Sequence, residues 1–165
     1  MSFIDQIKQR ARKEIKTIVL PEATDLRILK ATQIVNTEGY AKIILVGNEE
    51  KVRELAKENQ IDLGDAKIVD PEKSTEKEKY AKALYELRKA KGMTEEQANQ
   101  LVLEPVYYGM MIVKLEEADG LVSGAAHSTS DTLRPALQIL KTAPGTKLVS
   151  AFFVMVVPNC EYGAN

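Results

Sequence analysis

A cluster of small polar residues followed by an arginine is the part of this sequence best suited to chemistry. Nine residues without a large aliphatic side chain, SGAAHSTSD, lead into a segment whose leucines recur at helical spacing. The hydroxyl groups of this cluster belong to Ser128, Thr129, Ser130 and Thr132. Arg134 adds a planar guanidinium that can hold phosphate through two hydrogen bonds. Because a helix N-terminus also offers unpaired N–H groups, the pattern predicts a phosphate-binding loop.

The same residues have a plainer interpretation. Ser, Thr and Asp ahead of a helix are ordinary caps, and Arg134 can be a solvated side chain. His127 is the sole histidine and lies within the loop, where it is either a general base or a residue that orders the loop. The sequence places no carboxylate to orient it, which favours the ordering role. Asp131 is most simply a helix cap.

Several other chemistries have little support. One cysteine and one histidine without ligand spacing predict no metal site. Neither a GKS/T loop nor GxGxxG occurs, so ATP hydrolysis and dinucleotide binding lose their usual support. A formal net charge of -1 exerts no pull towards nucleic acid or an anionic membrane. We therefore expect small-molecule substrates, with neither nucleic acid nor a membrane as partner.

The elements that must position the loop alternate between strand and helix. Apolar runs at 17–20, 41–46 and 67–69 predict buried strands, and periodic apolar stripes predict helices between them. This order predicts an α/β fold with a mostly parallel sheet flanked by helices, in a three-layer αβα arrangement. Ligands in such folds bind beyond the carboxyl ends of strands, where the polar loop would lie.

Local residue patterns mark where helices begin. Thr94 with Gln97 fits a capping box, and Pro105 fits the first turn of a further helix. Thr24 is placed as the N-cap of the helix after the first strand.

The two ends of the chain carry apolar patterns as well. Phe3 and Ile7 recur at helical spacing, so we expect a first helix that buries this stripe. The run 147–157 is the most strongly apolar and predicts a buried strand. We assign residues 1–146 to one α/β domain that includes the loop and its helix. Residues 147–165 are assigned to the truncated start of a second α/β domain.

The sequence also indicates a compartment. The N-terminus lacks the continuous apolar segment of a secretory signal, and no apolar run approaches the length needed to span a bilayer. Cys160 is the only cysteine and cannot form an internal disulfide. These features predict a cytoplasmic protein in a reducing environment.

The sequence resembles the phosphate acetyltransferases, or phosphotransacetylases, whose near relatives are the phosphate butyryltransferases. The most specific match is SGAAHSTSDTLRPALQILKT. Further similar segments are TIVLPEATDLRILKA, AKIILVGNEEKV, LYELRKAKGMTEEQA and EPVYYGMMIVKLEEADGLVSGA. The resemblance covers essentially the whole chain, although family members are about twice as long. We therefore expect this chain to correspond to an N-terminal half.

The resemblance implies reversible transfer of an acetyl group between coenzyme A and orthophosphate, by direct attack in a ternary complex. It implies a two-domain, homodimeric enzyme of acetate metabolism with its site in the interdomain cleft. Coenzyme A is then a substrate, and no cofactor is tightly bound. The family's proposed catalytic base lies in the second half, so we expect the 165-residue chain alone to be inactive.

The resemblance also implies roles for three residues. Arg134 matches the arginine that holds the phosphate, and Arg88, in YELRKAKGMT, matches a second arginine of the same cleft. Its position alone would make Arg88 a charge that favours the C-terminal dipole of its helix. Cys160 matches a cysteine near the family's active site. Direct transfer needs no cysteine nucleophile, so we expect it to pack there.

Three alternatives stay open. One is a relative that forms butyryl phosphate. Another is a non-catalytic half that binds phosphate or an acyl phosphate without turnover. The third is a structural half that needs a partner chain.

Overall fold

The computed structural model describes residues 2–157 and 161–162. Its strands are Lys16–Leu20 (β1), Ala41–Val46 (β2), Lys67–Val69 (β3) and Gly120–Leu121 (β4). Its helices are Phe3–Lys13 (α1), Leu26–Glu38 (α2), Glu49–Glu58 (α3), Lys77–Arg88 (α4), Glu95–Leu101 (α5), Pro105–Lys114 (α6) and Thr129–Ile139 (α7). A 3₁₀ turn, Lys89–Lys91, follows α4. None of the described helices has the length and apolar character needed to cross a bilayer.

The four described strands form one parallel sheet in the order β3-β2-β1-β4. From β1 the chain moves outward through β2 to β3, and it then returns to the other side of β1 to form β4. The direction of winding therefore reverses between β1 and β4. Such a switch point opens a crevice at the carboxyl ends of the two strands, where ligands of α/β proteins bind. The predicted parallel α/β fold is confirmed.

Helices cover both faces of the sheet. Successive strand residues point to opposite faces, so neighbouring residues of one strand pack into different cores. Val19 is fully buried in a core that it shares with α4, α5, α6 and α7, whereas Leu20 lies in a second core formed with α2 and α3. Tyr80 and Tyr108 fill the first core with ring centroids 4.8 Å apart. This is the three-layer arrangement that the sequence predicts.

Helix α6 lies directly against the sheet at Gly109. A Cβ atom at this position would come within 2.7 Å of Cδ1 of Leu121 and 3.0 Å of Cγ1 of Val19. Glycine is thus the residue that lets the helix backbone approach both β1 and β4. Since α6 leads into β4, this contact helps to hold β4, and the loop after it, beside β1.

The predicted helix starts hold with one change. Thr94 and Gln97 form the capping box of α5, and Pro105 lies in the first turn of α6. The N-cap of α2 is Asp25 and not Thr24, because the Asp25 carboxylate accepts the N–H of Arg27 at 2.8 Å.

Two predictions about the chain's ends are wrong. Residues 147–157 pair with no described strand, and their large apolar side chains are exposed, Phe153 to 94%. An apolar run predicts burial but does not provide the neighbouring strand that a β-strand needs. Helix α1 has no buried residue. It is held instead through Arg12, which hydrogen-bonds Glu38 and lies 4.9 Å from the ring centre of Tyr40.

Candidate functional site

A cleft of about 300 Å³ lies where the N-terminal turns of α6 and α7 meet. Its lining residues are Leu101, Glu104, Val106, Tyr107, His127, Asp131, Arg134 and Pro135. Helix α7 follows β4, so the cleft opens on the carboxyl side of the switch point between β1 and β4. Two of the predicted site residues, Arg134 and His127, line this same cleft.

Arg134 presents an unengaged guanidinium to the cleft. The residue is exposed, and across residues 2–157 and 161–162 it forms neither an ion pair nor a hydrogen bond. Its planar fork of N–H donors is therefore available to an anion that enters the cleft. Asp131 and Glu104 are the carboxylates of the lining, and they oppose such an anion.

Arg88, at the end of α4, does not line the cleft. It is half-buried, and its Nε is buried without a hydrogen-bond partner in the described part of the chain. Burial raises the pKa of the Tyr107 hydroxyl, and the positive charges of Arg134 and Arg88 act in the opposite direction. The charges of both arginines therefore act on this hydroxyl, which itself donates to Oε1 of Gln138 at 3.1 Å.

The backbone of the polar loop wraps around the carboxylate of Glu22. Oε2 of Glu22 accepts the N–H groups of Gly124 and Ala125 at 3.0 and 2.9 Å. Oε1 accepts the N–H groups of Ala126 and His127 at 2.7 and 2.8 Å. Four successive backbone donors are therefore occupied by an internal anion. The sequence predicts phosphate as the partner of such donors, but the anion they hold is a side chain of the protein itself.

The register of the sheet explains this meeting. Val19 of β1 lies opposite Leu121 of β4. Glu22 and Gly124 each lie three residues further along, so two parallel strands deliver them to the same end of the sheet. Sequence reasoning missed Glu22 because its partners are 102 to 105 residues away. The available indication was an acidic residue directly after a buried strand, which gains meaning only when the strand order is known.

Glu22 is a buried charge that the loop stabilises. Its side chain is 1% exposed. Burial by itself raises the pKa of the Glu22 carboxyl, but the hydrogen bonds from Ala126, Ala125 and His127 outweigh it and bring the pKa to about 2. The carboxylate therefore stays ionised, as a group with this many donors should.

A second contact from the same connection holds the loop. Arg27 donates through Nη2 to the carbonyl oxygen of Ala125 and also pairs with Asp25 at 2.6 Å. The hydrogen bond from the Arg27 side chain is the main cause that lowers the pKa of Asp25 to about 2. Glu22 in the turn after β1 thus binds the N–H groups of the loop, and Arg27 in the first turn of α2 binds one of its carbonyls.

The four predicted hydroxyls do not line the cleft that contains Arg134. Ser128 is the N-cap of α7: its Oγ accepts the N–H of Asp131 at 3.2 Å and donates to the Asp131 carboxylate at 2.6 Å. Ser130 Oγ lies 2.8 Å from Ser128 Oγ. Thr132 Oγ1 lies 3.5 Å from Ser123 Oγ, and Thr129 is exposed at the start of the helix. The capping interpretation accounts for Ser128. Asp131 is not itself the cap but lies in the first turn of α7, and phosphate contacts by the four hydroxyls stay a prediction.

The expectation that no carboxylate orients His127 is wrong. Nδ1 of His127 lies 2.9 Å from Oε1 of Glu22. Nδ1 therefore contacts a buried carboxylate, while the imidazole itself is about one third exposed and lines the cleft.

Other candidate sites are less suited to the predicted chemistry. A cleft of about 750 Å³ lies at the amino ends of the strands, where Thr17, Ala41 and Lys67 line it. Parallel sheets bind ligands at the opposite edge. The described residues contain no group of three or more His, Cys, Asp or Glu side chains that could hold a metal ion. Cys160, predicted to lie near the active site, falls outside the described residues.

The sheet order and the arginine-lined cleft define an α/β protein with a candidate site at a topological switch point. Comparison with known sequences specifies the family further. A model of the phosphate acetyl/butaryl transferase family matches residues 2–163. The chain is 59% identical over its whole length to a phosphate acetyltransferase from Acetivibrio thermocellus, of which it covers 49%. It is 52% identical over its whole length to that of Thermoanaerobacterium thermosaccharolyticum, of which it covers 50%.

Solved structures agree with this result. A phosphotransacetylase from Streptococcus pyogenes matches 90% of this chain with a TM-score of 0.84 and 37% identity, over 46% of its own length. One from Staphylococcus aureus matches 88% of this chain with a TM-score of 0.80 and 41% identity, over 44% of its own length. The chain belongs to the phosphate acetyl/butyryl transferase family, and it spans about half the length of the curated relatives it matches.

Proposed function

We propose that this chain supplies the phosphate-holding half of a phosphate acetyltransferase. The observation that carries the proposal is the free guanidinium of Arg134, which lines a cleft at the switch point of a family member's fold. A free, forked cation beside a helix N-terminus is suited to a phosphate dianion. Arg88, whose charge acts on the same tyrosine hydroxyl as that of Arg134, is the second cation of this proposal.

The reaction joins orthophosphate to an acyl group. A phosphate oxygen attacks the thioester carbon of acetyl-CoA, a tetrahedral oxyanion forms, and the C–S bond breaks. The departing thiolate takes up the proton that the phosphate gives up. In the reverse direction the thiol of coenzyme A attacks acetyl phosphate. Each direction needs a held phosphate, a base for the thiol and donors for the oxyanion. Arg134 and Arg88 meet the first need.

We propose no described residue as the base for the thiol or as a donor to the oxyanion. The cleft is open, and water that enters it weakens each electrostatic contact with the phosphate. We therefore propose that residues 1–146 form one domain and that residues 147–165 begin a second domain. This second domain would close the cleft and carry the base. The exposed apolar side chains of 147–157 support a role in contacts with further protein.

The properties of the whole enzyme belong to the same proposal. Coenzyme A acts as a substrate, and no cofactor or metal is tightly bound. We propose a homodimer in the cytoplasm with neither nucleic acid nor a membrane as partner, and the near-neutral formal charge of -1 supports the last point. Phosphate butyryltransferase is the second candidate, because the family model that matches the chain covers both acyl groups.

A chimera tests the proposal. The 165-residue chain is joined to the second half of the Acetivibrio thermocellus relative, to which it is 59% identical. We expect the chimera to form acetyl phosphate from acetyl-CoA and phosphate, and the 165-residue chain alone to show no enzymatic turnover. The intact relative is the positive control. Faster turnover of butyryl-CoA would favour the second candidate, and a folded chimera that transfers neither acyl group would contradict the proposal.

A further inference from the structure

Glu22 and His127 form a pair that the proposed function does not use. We propose that Glu22 is a positioning residue for His127, and that His127 makes the cleft select phosphate over sulfate by accepting a hydrogen bond from the phosphate hydroxyl. The inference rests on the proposed function, because it adds a contact to the same phosphate that Arg134 is proposed to hold.

The tautomer of His127 follows from what Glu22 can offer. An ionised carboxylate accepts hydrogen bonds and cannot donate one. Nδ1 of His127 lies 2.9 Å from Oε1 of Glu22, so Nδ1 must carry the proton. In a neutral imidazole with its proton on Nδ1, Nε2 carries a lone pair and is an acceptor.

The ring is held at two points. The backbone N–H of His127 donates to the same oxygen of Glu22 at 2.8 Å, and the side chain donates through Nδ1. Three further N–H groups, from Gly124, Ala125 and Ala126, fix the carboxylate itself. A carboxylate with five donors around it has little freedom, so the position of the imidazole is set in advance of any ligand.

Nε2 is free to meet a ligand in the cleft. It forms no hydrogen bond within residues 2–157 and 161–162, and the side chain is 34% exposed. His127 and Arg134 line the same space of about 300 Å³. The cleft therefore combines a forked cationic donor with one neutral acceptor.

That combination fits an anion that carries a proton. Near pH 8, monohydrogen phosphate offers oxygens to Arg134 and one hydroxyl to Nε2. Sulfate has the same charge and a similar shape but carries no proton, so its oxygen would face the Nε2 lone pair. A site built to pair a hydroxyl rejects an analogue that lacks one, because a polar group is left without a partner. We expect phosphate to bind roughly tenfold more tightly than sulfate.

The first experiment measures the tautomer directly. His127 is the only histidine of the chain, so the ring nitrogens of the ¹⁵N-labelled 165-residue protein give unambiguous long-range NMR correlations. At pH 8 we expect the proton on Nδ1. Glu22→Gln removes the full charge and one acceptor oxygen from the group that faces Nδ1, and we expect the preference for the Nδ1 proton to weaken, with part of the population carrying the proton on Nε2. Asp70→Asn is the matched control, because Asp70 is a comparably buried residue, 6% exposed as a whole against 4% for Glu22, and its carboxylate contacts Asn48 instead of the loop.

The second experiment measures selectivity. The labelled chain is titrated separately with inorganic phosphate and with sulfate, while the Nε signal of Arg134 and the Nε2 signal of His127 are followed. We expect both signals to respond to phosphate. In His127→Phe the ring volume and the backbone N–H remain, and the preference for phosphate should fall to about one.

The outcomes separate this inference from the proposed function. A proton on Nε2 in the wild-type chain, or equal binding of phosphate and sulfate at Arg134, overturns the inference and leaves the phosphate site intact. No response of Arg134 to phosphate contradicts the proposed function and the inference together. The wild-type measurements need no variant, so a Glu22→Gln chain that fails to fold does not remove the test.

Discussion

Val19 and Leu121 lie opposite each other in adjacent parallel strands, and this single register pair assembles the candidate site. Three residues beyond it, Glu22 and Gly124 meet at the carboxyl ends of β1 and β4. The loop then bends around the carboxylate and delivers His127 and Arg134 to one cleft. The site therefore depends on how closely β4 is held to β1.

The packing of α6 against these strands gives the first prediction. Gly109→Val should lower the free energy of unfolding by about 3 kcal/mol, because its Cβ would lie 2.7 Å from Leu121 and 3.0 Å from Val19. Gly120→Val is the control. Its Cβ meets only Cδ1 of Ile18, at an ordinary 3.6 Å, and a β-branched residue suits a strand. Urea unfolding measures both, and equal stability of the two variants would show that the close approach at Gly109 is unimportant.

The ionised state of Glu22 gives a pH prediction. Its pKa is about 2 in the folded chain against an ordinary value of 4.5, so the unfolded chain binds more protons between these values. The stabilisation is complete above pH 4.5 and is lost as the pH falls towards 2. Between pH 6 and pH 3 the wild type should lose about 2 kcal/mol more stability than Glu22→Gln. Asp25 also has a pKa of about 2, but it contributes equally to both proteins and cancels in the difference.

Urea unfolding of both proteins at the two pH values provides the measurement. Parallel losses of stability in wild type and Glu22→Gln would mean that the loop does not hold the carboxylate as described.

The exposed segment 147–157 leads to a prediction about association. Phe152 and Phe153 are 86% and 94% exposed, among several other exposed apolar side chains of this segment. A contiguous apolar surface of this kind promotes self-association. Replacing both phenylalanines by serine should shift the 165-residue chain towards monomer in analytical ultracentrifugation. Ile34→Ser, at a single apolar residue that is 59% exposed, should change nothing. A wild-type chain that is monomeric at every concentration would refute this expectation.

Local features of this fold could be predicted from the sequence, and long-range ones could not. The capping box of Thr94 and Gln97 and the helix start at Pro105 depend on neighbours within one turn, so their residue types determine them. The alternation of strand and helix predicts parallel strands. Glu22 is not predictable because its role depends on the strand order, which brings it to Gly124, 102 residues further along the chain.

The wrong strand at 147–157 has a related cause. Its apolar pattern predicts burial, but no strand of the described sheet pairs with it and its side chains are exposed. The carboxylate that orients His127 is likewise not predictable, since no spacing within the loop indicates a residue from the turn after β1.

The carboxylates that line the cleft give a prediction of tighter phosphate binding when one of them is neutralised. Glu104 lines the cleft and opposes a phosphate, and its side chain makes no capping hydrogen bond to α6. In the chimera, Glu104→Gln should lower the KM for phosphate about threefold, because one screened repulsion is removed. Glu96→Gln, which changes an exposed residue of α5, should leave the KM unchanged. A higher KM in Glu104→Gln would show that Glu104 assists phosphate binding.

The most direct test of the account compares Arg134 variants of the chimera with phosphate, acetyl phosphate and coenzyme A as the varied substrates. Arg134→Gln should lower kcat/KM for both phosphate substrates by roughly one to two orders of magnitude and leave the KM for coenzyme A nearly unchanged, because a charge-assisted, two-bond contact is lost. Arg134→Lys should recover only part of the loss, since a point charge cannot replace the fork. Arg53→Gln, at an arginine paired with Glu49 on α3, should behave as the unmutated chimera. Unchanged kcat/KM for phosphate and acetyl phosphate in Arg134→Gln would contradict the assignment of Arg134 to the phosphate.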